Sequence, residues 1–554
     1  MLAGLYSFHD DDTNAVAFLV HHKMDHALRS QGKGYFIRMV DRRTFLVALG
    51  ALASSRALGQ YNARPRFSAA PFTLGVASGY PQPAGFLLWT RLAPVPLAPS
   101  GGMPPEVIPV GWEVARDEHM KRVVASGTEY ATPEWAHSVH VEVGGLEPRT
   151  PYWYRFTAGD AVSPIGRTHT APPPSGRPNR LRFAFVSCQH YEHGYFSAYR
   201  HIVADEPDLI VHLGDYIYEG SWGRDPVRSH GTGQAITLDD YRRRYALYKT
   251  DADLQAAHVA CPWLITWDDH EVENDYANDR SQYLDAPDWF LARRAAAYKA
   301  WYEHMPVPRH MLPVGPNARI YTRSGYGSLA NFYVLDDRQY RSHEACPRPG
   351  RGGSSVVDPT QCAELGDPKR TMLGTAQEQW LESALGASRA RWNIVAQQTR
   401  MGQFDEQAGP GRLAWTDDWD GYPVARRRLL ESLGRTSNPV VIGGDIHCYN
   451  VNQLKLDFDN PSSPVVAAEF VGTSVTSQAW PQERIDALRG DNPHLLFADS
   501  RYRGYVRIDV TPERLQADLR AMDTVQRPDG KCSTLASFSV EDGKPGIRNS
   551  GPGS

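Results

Sequence analysis

Four short apolar runs in this chain are each followed at once by a residue able to bind a metal. Phe183-Ala-Phe-Val-Ser187 leads into Cys188, and Leu209-Ile-Val-His-Leu213 into Gly214-Asp215-Tyr216-Ile217-Tyr218. Trp263-Leu-Ile-Thr266 leads into Trp267-Asp268-Asp269-His270-Glu271, and Val440-Val-Ile442 into Gly443-Gly444-Asp445-Ile446-His447. Apolar runs of this length, bounded by turn residues, predict buried strands, and α/β folds place their sites beyond the C-terminal ends of such strands. One coincidence carries little. Four in one chain outline an active site.

Elsewhere the pattern divides the chain. From Phe72 to about Thr170 strand-like runs follow one another closely: Phe86–Thr90, Val107–Trp112, Ser138–Val143 and Tyr152–Phe156. Turn residues separate them, and Gly145-Leu-Glu-Pro-Arg-Thr-Pro-Tyr152 resembles the start of a strand in fibronectin-III-like domains, which predicts a small β-sandwich over 72–170. Ala171-Pro-Pro-Pro-Ser-Gly176 breaks the pattern, and beyond it strands alternate with helical segments, so an α/β domain is expected over 178–525. Phe290, Ala297 and Trp301 at helical spacing predict a helix over 288–304. Thr375-Ala-Gln-Glu378 reads as a capping box that starts another near 376. The Gly/Pro/Ser-rich end makes 526–554 a mostly disordered tail in this scheme.

At 554 residues the chain exceeds one ordinary core, and 41% hydrophobic content is ample for globular domains. A formal charge of −4 offers no general attraction for nucleic acid, so no stable nucleic-acid complex is expected. No apolar run is long enough to span a bilayer. Asp41-Arg42-Arg43-Thr44-Phe45-Leu46 opens a short apolar stretch, and Ala57-Leu58-Gly59 supplies small residues suited to cleavage. Residues 39–59 thus resemble a twin-arginine signal, which implies passage through the twin-arginine export machinery to a periplasmic or secreted location. Met39 stands just ahead of the arginines, so residues 1–38 are expected to be an over-called start. Of the six cysteines, Cys346 and Cys362 share a Pro/Gly/Ser-rich stretch from about 342 to 370 and form the favoured disulfide pair.

The strand-end residues suit a dinuclear hydrolase, which needs a carboxylate bridging two cations, a ligand set for each, and an acid for the leaving group. Asp215 is the natural bridge, and Tyr218 three residues on can reach the same metal as a phenolate. Cys188, Tyr218 and His447 combine thiolate, phenolate and imidazole, a set suited to a redox-active metal such as ferric iron. Asp269 and Asp445 offer only oxygen, suiting a hard cation such as calcium or magnesium. His270, next to Asp269 in an extended segment, points elsewhere and serves as proton donor. Each residue alone has an ordinary alternative: a turn aspartate, a satisfied core histidine, a helix start. Their shared placement sets them apart.

Ser187-Cys188-Gln189, Gly214-Asp-Tyr-Ile-Tyr-Glu219, Trp267-Asp-Asp-His-Glu-Val-Glu-Asn274 and Gly444-Asp-Ile-His447 resemble PhoD-type alkaline phosphatases of the calcineurin-like metallophosphatase superfamily. Leu335-Asp-Asp-Arg-Gln-Tyr-Arg341 and Glu469-Phe-Val-Gly-Thr-Ser474 agree, and the likeness spans roughly 72–515. It implies a metallophosphatase β-sandwich flanked by helices, with an immunoglobulin- or fibronectin-III-like front domain. It further implies iron (Fe3+) held by Cys188, Asp215, Tyr218 and His447, and calcium (Ca2+) held by Asp215, Asp269 and Asp445. Asn274 would bind a further calcium or the phosphate. Tyr80 and Asp275 depart from residues usual in the family. The expected activity is hydrolysis of small phosphomonoesters and of phosphodiesters, including phosphodiester polymers or phospholipids. The rival readings are a dedicated phosphodiesterase or phospholipase D-like enzyme with the same metals, and a catalytically dead phosphate- or glycan-binding protein, which would lack ligands present here.

Overall fold

The alternating and fully apolar runs become two large mixed sheets. In the computed structural model, which describes residues 61–551, a ten-stranded sheet carries at its centre the parallel strands Leu181–Val186, Leu209–His212 and Trp263–Ile265. A seven-stranded sheet is built around the parallel strands Ala330–Val334, Trp392–Ala396, Pro439–Gly443 and Val465–Val471. These central strands read as continuous apolar runs because both faces are covered, as parallel sheets require. Phe183, Val211, Phe332, Ile394, Val440 and Phe470 share one core between the sheets, with Phe183 edge-on to Phe332 at 5.1 Å. Helices flank it, among them Leu238–Lys249 against Pro287–His304, and Gly374–Gly386 against Pro423–Leu433. The fold is α/β, with helices outside a two-sheet body.

The front segment has its own core, in which Val76, Leu88, Val110, Val141, Tyr154 and Phe156 pack together. Strands Val123–Ala131, Ile108–Ala115 and Pro151–Ala158 make one layer. The facing strands, Val76–Gln82, Gly85–Arg91 and Ser138–Val143, are also the end of the ten-stranded sheet, through Gly79 paired with Trp263. Tyr80 adds a stitch: its hydroxyl donates to the Ile265 carbonyl at 2.8 Å, at the end of the strand that leads to Asp269. From Asn62 onward the chain is accordingly one compact unit.

Several expectations meet their structure here. The helix over 288–304 spans Pro287–His304, and the Cys346–Cys362 disulfide is formed. The capping box at Thr375 is absent. Helix Gly374–Gly386 starts about two residues earlier, where Thr371 accepts the Gly374 N–H at 2.9 Å and its hydroxyl meets Glu378. The disordered tail is also a misjudgement. Cys532–Glu541 and Lys544–Asn549 form a hairpin on the edge of the large sheet, with Phe538, Val540 and Ile547 buried. Asp542-Gly543, with Gly543 at φ +73°, is the two-residue turn that joins them, so the glycines are turn punctuation rather than a sign of disorder. The twin-arginine segment 39–59 and the expected over-called start 1–38 lie outside the described residues.

Candidate metal centre

Strands of both sheets stop at one place. Cys188 follows strand Leu181–Val186 by two residues, Asp215 follows Leu209–His212 by three, and Asp269 follows Trp263–Ile265 by four. From the second sheet, Pro439–Gly443 delivers Asp445 and His447. Cys188, Asp215, Asp445 and His447 all hold left-handed backbone, at φ 59°, 55°, 66° and 54°. Such conformations cost non-glycine residues roughly 1–3 kcal/mol each and persist where the surroundings enforce them, which is typical of functional sites. Gly214, at φ 108°, permits one of these turns, because a Cβ there would lie 2.4 Å from Asp268 Cβ.

Ligand-capable atoms of Cys188, Asp215 and His447 lie within 4.8 Å of one another, as do those of Asp215, Asp269 and His270, and those of Asp268, Asp269 and Asp445. Tyr218 joins the first group: its hydroxyl is 2.8 Å from Asp215 Oδ2 and 3.1 Å from His447 Nε2, and it accepts a bond from Ser477 Oγ. The Gln478 carbonyl, 2.7 Å from His447 Nδ1, can only accept, so Nδ1 carries the proton and Nε2 keeps its lone pair for the cluster. Asn274 lines the same cavity, with its amide 3.4 Å from Gln282 Oε1.

His270 differs from its expectation. The strand ends at Ile265 and the chain turns, so Asp269 and His270 both line the cavity instead of facing opposite ways. His270 Nδ1 bonds to Glu219 Oε2 at 2.7 Å. Burial alone would lower its pKa, but the carboxylates of Glu219, Asp215 and Asp269 outweigh this and hold it well above the usual histidine value.

Electrostatics decide what the cluster suits. Burial and then neighbouring carboxylates push Asp445 well above the ordinary aspartate range. Asp215 is raised likewise by burial, partly offset by His270, with Asp269 and Asp268 adding to the rise. Burial, together with Asp215, raises the Cys188 thiol. Asp215 Oδ1 and Asp445 Oδ2 are buried with no hydrogen-bond partner. Buried charge costs several kcal/mol per group unless it is compensated or neutralised, so a cation bound here would relieve the crowded acids. Carboxylates, phenol, thiol and imidazole in this order fit one borderline and one hard cation.

Two contributors escape sequence reasoning. The fully buried Glu271 accepts N–H bonds from Asp215 at 3.0 Å, Tyr216 at 2.6 Å and Asp268 at 2.8 Å, tying two strand ends together. Arg338, also fully buried, bonds Asp268 and reaches Asp417 at 2.7 Å, standing 3.5 Å from Asp445 and 3.8 Å from Asp269. Only its place in the Leu335–Arg341 stretch marks it in the sequence.

Two facing sheets that deliver acids, a thiol and histidines to one cavity of about 790 Å³ define an α/β protein with a candidate multinuclear metal centre. Comparison supplies the family. A model described as PhoD-like phosphatase matches residues 183–519, and one described as PhoD-like phosphatase, N-terminal domain, matches 57–172. Alkaline phosphatase D of Bacillus subtilis (strain 168) is 45% identical over 529 residues, 92% of this chain and 89% of that protein. A solved structure of PhoD is similar at a TM-score of 0.83 and 45% identity, over 88% of this chain and 94% of the other. The chain belongs to the PhoD-like phosphatase family and is a phosphoric ester hydrolase.

Proposed function

We propose that the chain is an exported, metal-dependent phosphoesterase that hydrolyses phosphomonoesters and phosphodiesters. The observation that carries this is the pair of unpartnered, buried carboxylate oxygens on Asp215 and Asp445, within a cavity also lined by His270 and His447. In this reading Cys188, Asp215, Tyr218 and His447 would hold ferric iron. Asp215, Asp269 and Asp445 would hold calcium, with Asn274 serving a further calcium or the phosphate. When bound, the cations supply Lewis acidity at the phosphoryl oxygens and make attack by water feasible near neutral pH.

His270 is the proton donor to the leaving oxygen. Glu219 engages Nδ1, which leaves Nε2 as the nitrogen that gives up its proton, and the same carboxylate stabilises the imidazolium beforehand. Glu271 keeps the Asp215 and Asp268 turns in register, and the Gln478 carbonyl keeps His447 in its ligating tautomer. The front strands over 72–170 belong to the same proposal as an immunoglobulin- or fibronectin-III-like domain, supported by their separate core.

The test is hydrolysis of nitrophenyl phosphate and of bis(nitrophenyl) phosphate by protein matured through its own export route. Both are expected to be cleaved, a calcium chelator to abolish both activities, and added calcium alone to restore them. Activity that survives exhaustive calcium removal rejects the calcium assignment. Changing Arg42 and Arg43 together to Lys should hold the precursor in the cytoplasm, while a gene starting at Met39 should still give exported protein.

A further inference from the structure

The cavity is far larger than a phosphate needs, and its outer wall is aromatic. Trp222, Tyr283, Trp415 and Trp480 line it along with the acids of the centre, and Trp222, Tyr283 and Trp480 remain 41%, 50% and 36% exposed. Exposed indoles are costly to leave in water, and these are held in place rather than loose. The Arg484 guanidinium covers the Trp480 ring at 4.2 Å and is itself bonded to the buried Glu406 at 2.7 Å. Trp415 meets Trp480 edge-on at 6.3 Å. Trp222 lies parallel to the His447 ring at 5.8 Å, and its carbonyl bonds His193 Nε2 at 2.7 Å. Fixed aromatic faces of this kind form a platform for a flat ring.

Charge narrows the choice. The described residues that line the cavity include five carboxylates, Asp215, Glu219, Asp269, Asp275 and Asp445, and no lysine or arginine. Cations at the strand ends neutralise one phosphoryl group. Further phosphates would lie among the acids with no basic partner. A polyphosphate is therefore a poor fit, and a single phosphate carrying a flat uncharged ring is a good one.

Building on the proposed phosphoesterase reading, we infer that the Trp222–Trp480 rim is a subsite for a nucleobase, which makes mononucleotide-type esters with one phosphate the favoured substrates. Stacking on an aromatic side chain is worth enough per base to change binding by about 5- to 100-fold. The rim acts on the part of the substrate remote from the reacting bond, so it sets specificity without altering the chemistry.

Adenosine 5′-monophosphate and ribose 5-phosphate share the same reacting ester and differ only in the base. The holoenzyme should show kcat/KM about 5- to 100-fold higher for the nucleotide, and adenosine triphosphate should be hydrolysed less well than the monophosphate. Trp480→Ala should remove most of the preference, lowering kcat/KM for the nucleotide far more than for ribose 5-phosphate. Calorimetric binding of adenosine, which has no phosphate, tests the subsite apart from catalysis: the parent should bind it and Trp480→Ala should bind it at least about 5-fold more weakly, with Trp222→Ala as a second variant. No adenosine binding by the folded parent overturns the subsite whatever the phosphatase activity is. Equal kcat/KM for the two monoesters, a preference for the sugar phosphate, or equal losses on both in Trp480→Ala would also overturn it. If adenosine binds as expected but neither ester is cleaved, the subsite stands and the phosphomonoesterase reading falls.

Discussion

Two groups of buried aspartates share this molecule and are treated in opposite ways. In Asp418-Trp419-Asp420, Asp418 receives both Arg400 Nε at 3.1 Å and Nη2 at 2.6 Å and caps the Asp420 N–H, while Asp420 binds Arg426 at 2.6 Å and the Phe404 N–H. At the strand ends, Asp215 and Asp445 each keep a buried oxygen with no partner. Both groups are buried and both sit in polar clusters. The difference lies in the amount of counter-charge: Asp418 and Asp420 each hold an arginine, Arg400 and Arg426, whereas the single Arg338 is shared among Asp268, Asp269, Asp417 and Asp445. Burial of acids is thus uninformative by itself. The number of arginines set against the acids separates a structural network from a candidate cation site.

The comparison breaks most severely if the arginine-paired acids prove dispensable. Asp418→Ala removes the hydrogen-bonded carboxylate of Arg400, leaves it only Glu406 at 3.9 Å, and should lower stability by about 3 kcal/mol, read by denaturant unfolding. Asp445→Asn should do the reverse. It removes one of several crowded like charges, so the metal-free protein should melt no lower than the parent, while kcat falls by about 10²–10³-fold with calcium lost. A metal-free Asp445→Asn protein that is strongly destabilised would place Asp445 in the structural group.

His270→Ala sharpens the account of the second group. Because Glu219 makes the imidazolium a weak acid, the loss on alkyl phosphates should be about 10²-fold, at the low end for general acid catalysis, and smaller on nitrophenyl phosphate, whose leaving group needs little help. Iron and calcium contents should be unchanged. Equal losses on both substrates, or a missing metal, would give His270 another role.

Lys249 is the control, a buried cation with no ion pair among the described residues, lying 4.3 Å from the Trp89 ring. Burial lowers its pKa to about 7. Between that value and about 10.5 the unfolded chain binds the proton that the folded chain lacks, so stability rises with pH across the window and the full penalty applies below it. Lys249→Met should therefore stabilise the protein by about 2 kcal/mol at pH 6, after loss of the contact with Trp89, and the gain should vanish by about pH 10.5. Thermal melts of parent and variant at several pH values decide it, and a gain that grew with pH would reverse the sign.

Much of this was legible because strand ends announce themselves. The runs before Cys188, Asp215, Asp269 and Asp445 are apolar on both faces, and the structure brings those residues together as their placement implied. Tyr218 and His447 were legible by their spacing from Asp215 and Asp445. What stayed hidden depends on partners distant in sequence. Glu271 matters because it accepts N–H groups 55 and 56 residues away, and Arg338 because it reaches an aspartate 70 residues away and another 79 away. The direction of His270 was misjudged because alternation holds only while a strand lasts, and this one ends at Ile265. The C-terminal hairpin was missed because its Asp542-Gly543 turn sits in a segment whose composition suggested disorder. The aromatic rim comes from four separate stretches of chain, three loops and the short strand Ala414–Trp415, which no local pattern joins.

Elemental analysis of exported parent and Cys188→Ala protein tests the central claim most directly. One iron per chain in the parent, lost in the variant while calcium and the native fold by circular dichroism remain, is the predicted result. Full iron occupancy in folded Cys188→Ala, or no metal in the active parent, would contradict the reading of the strand-end acids and thiol as a cation site.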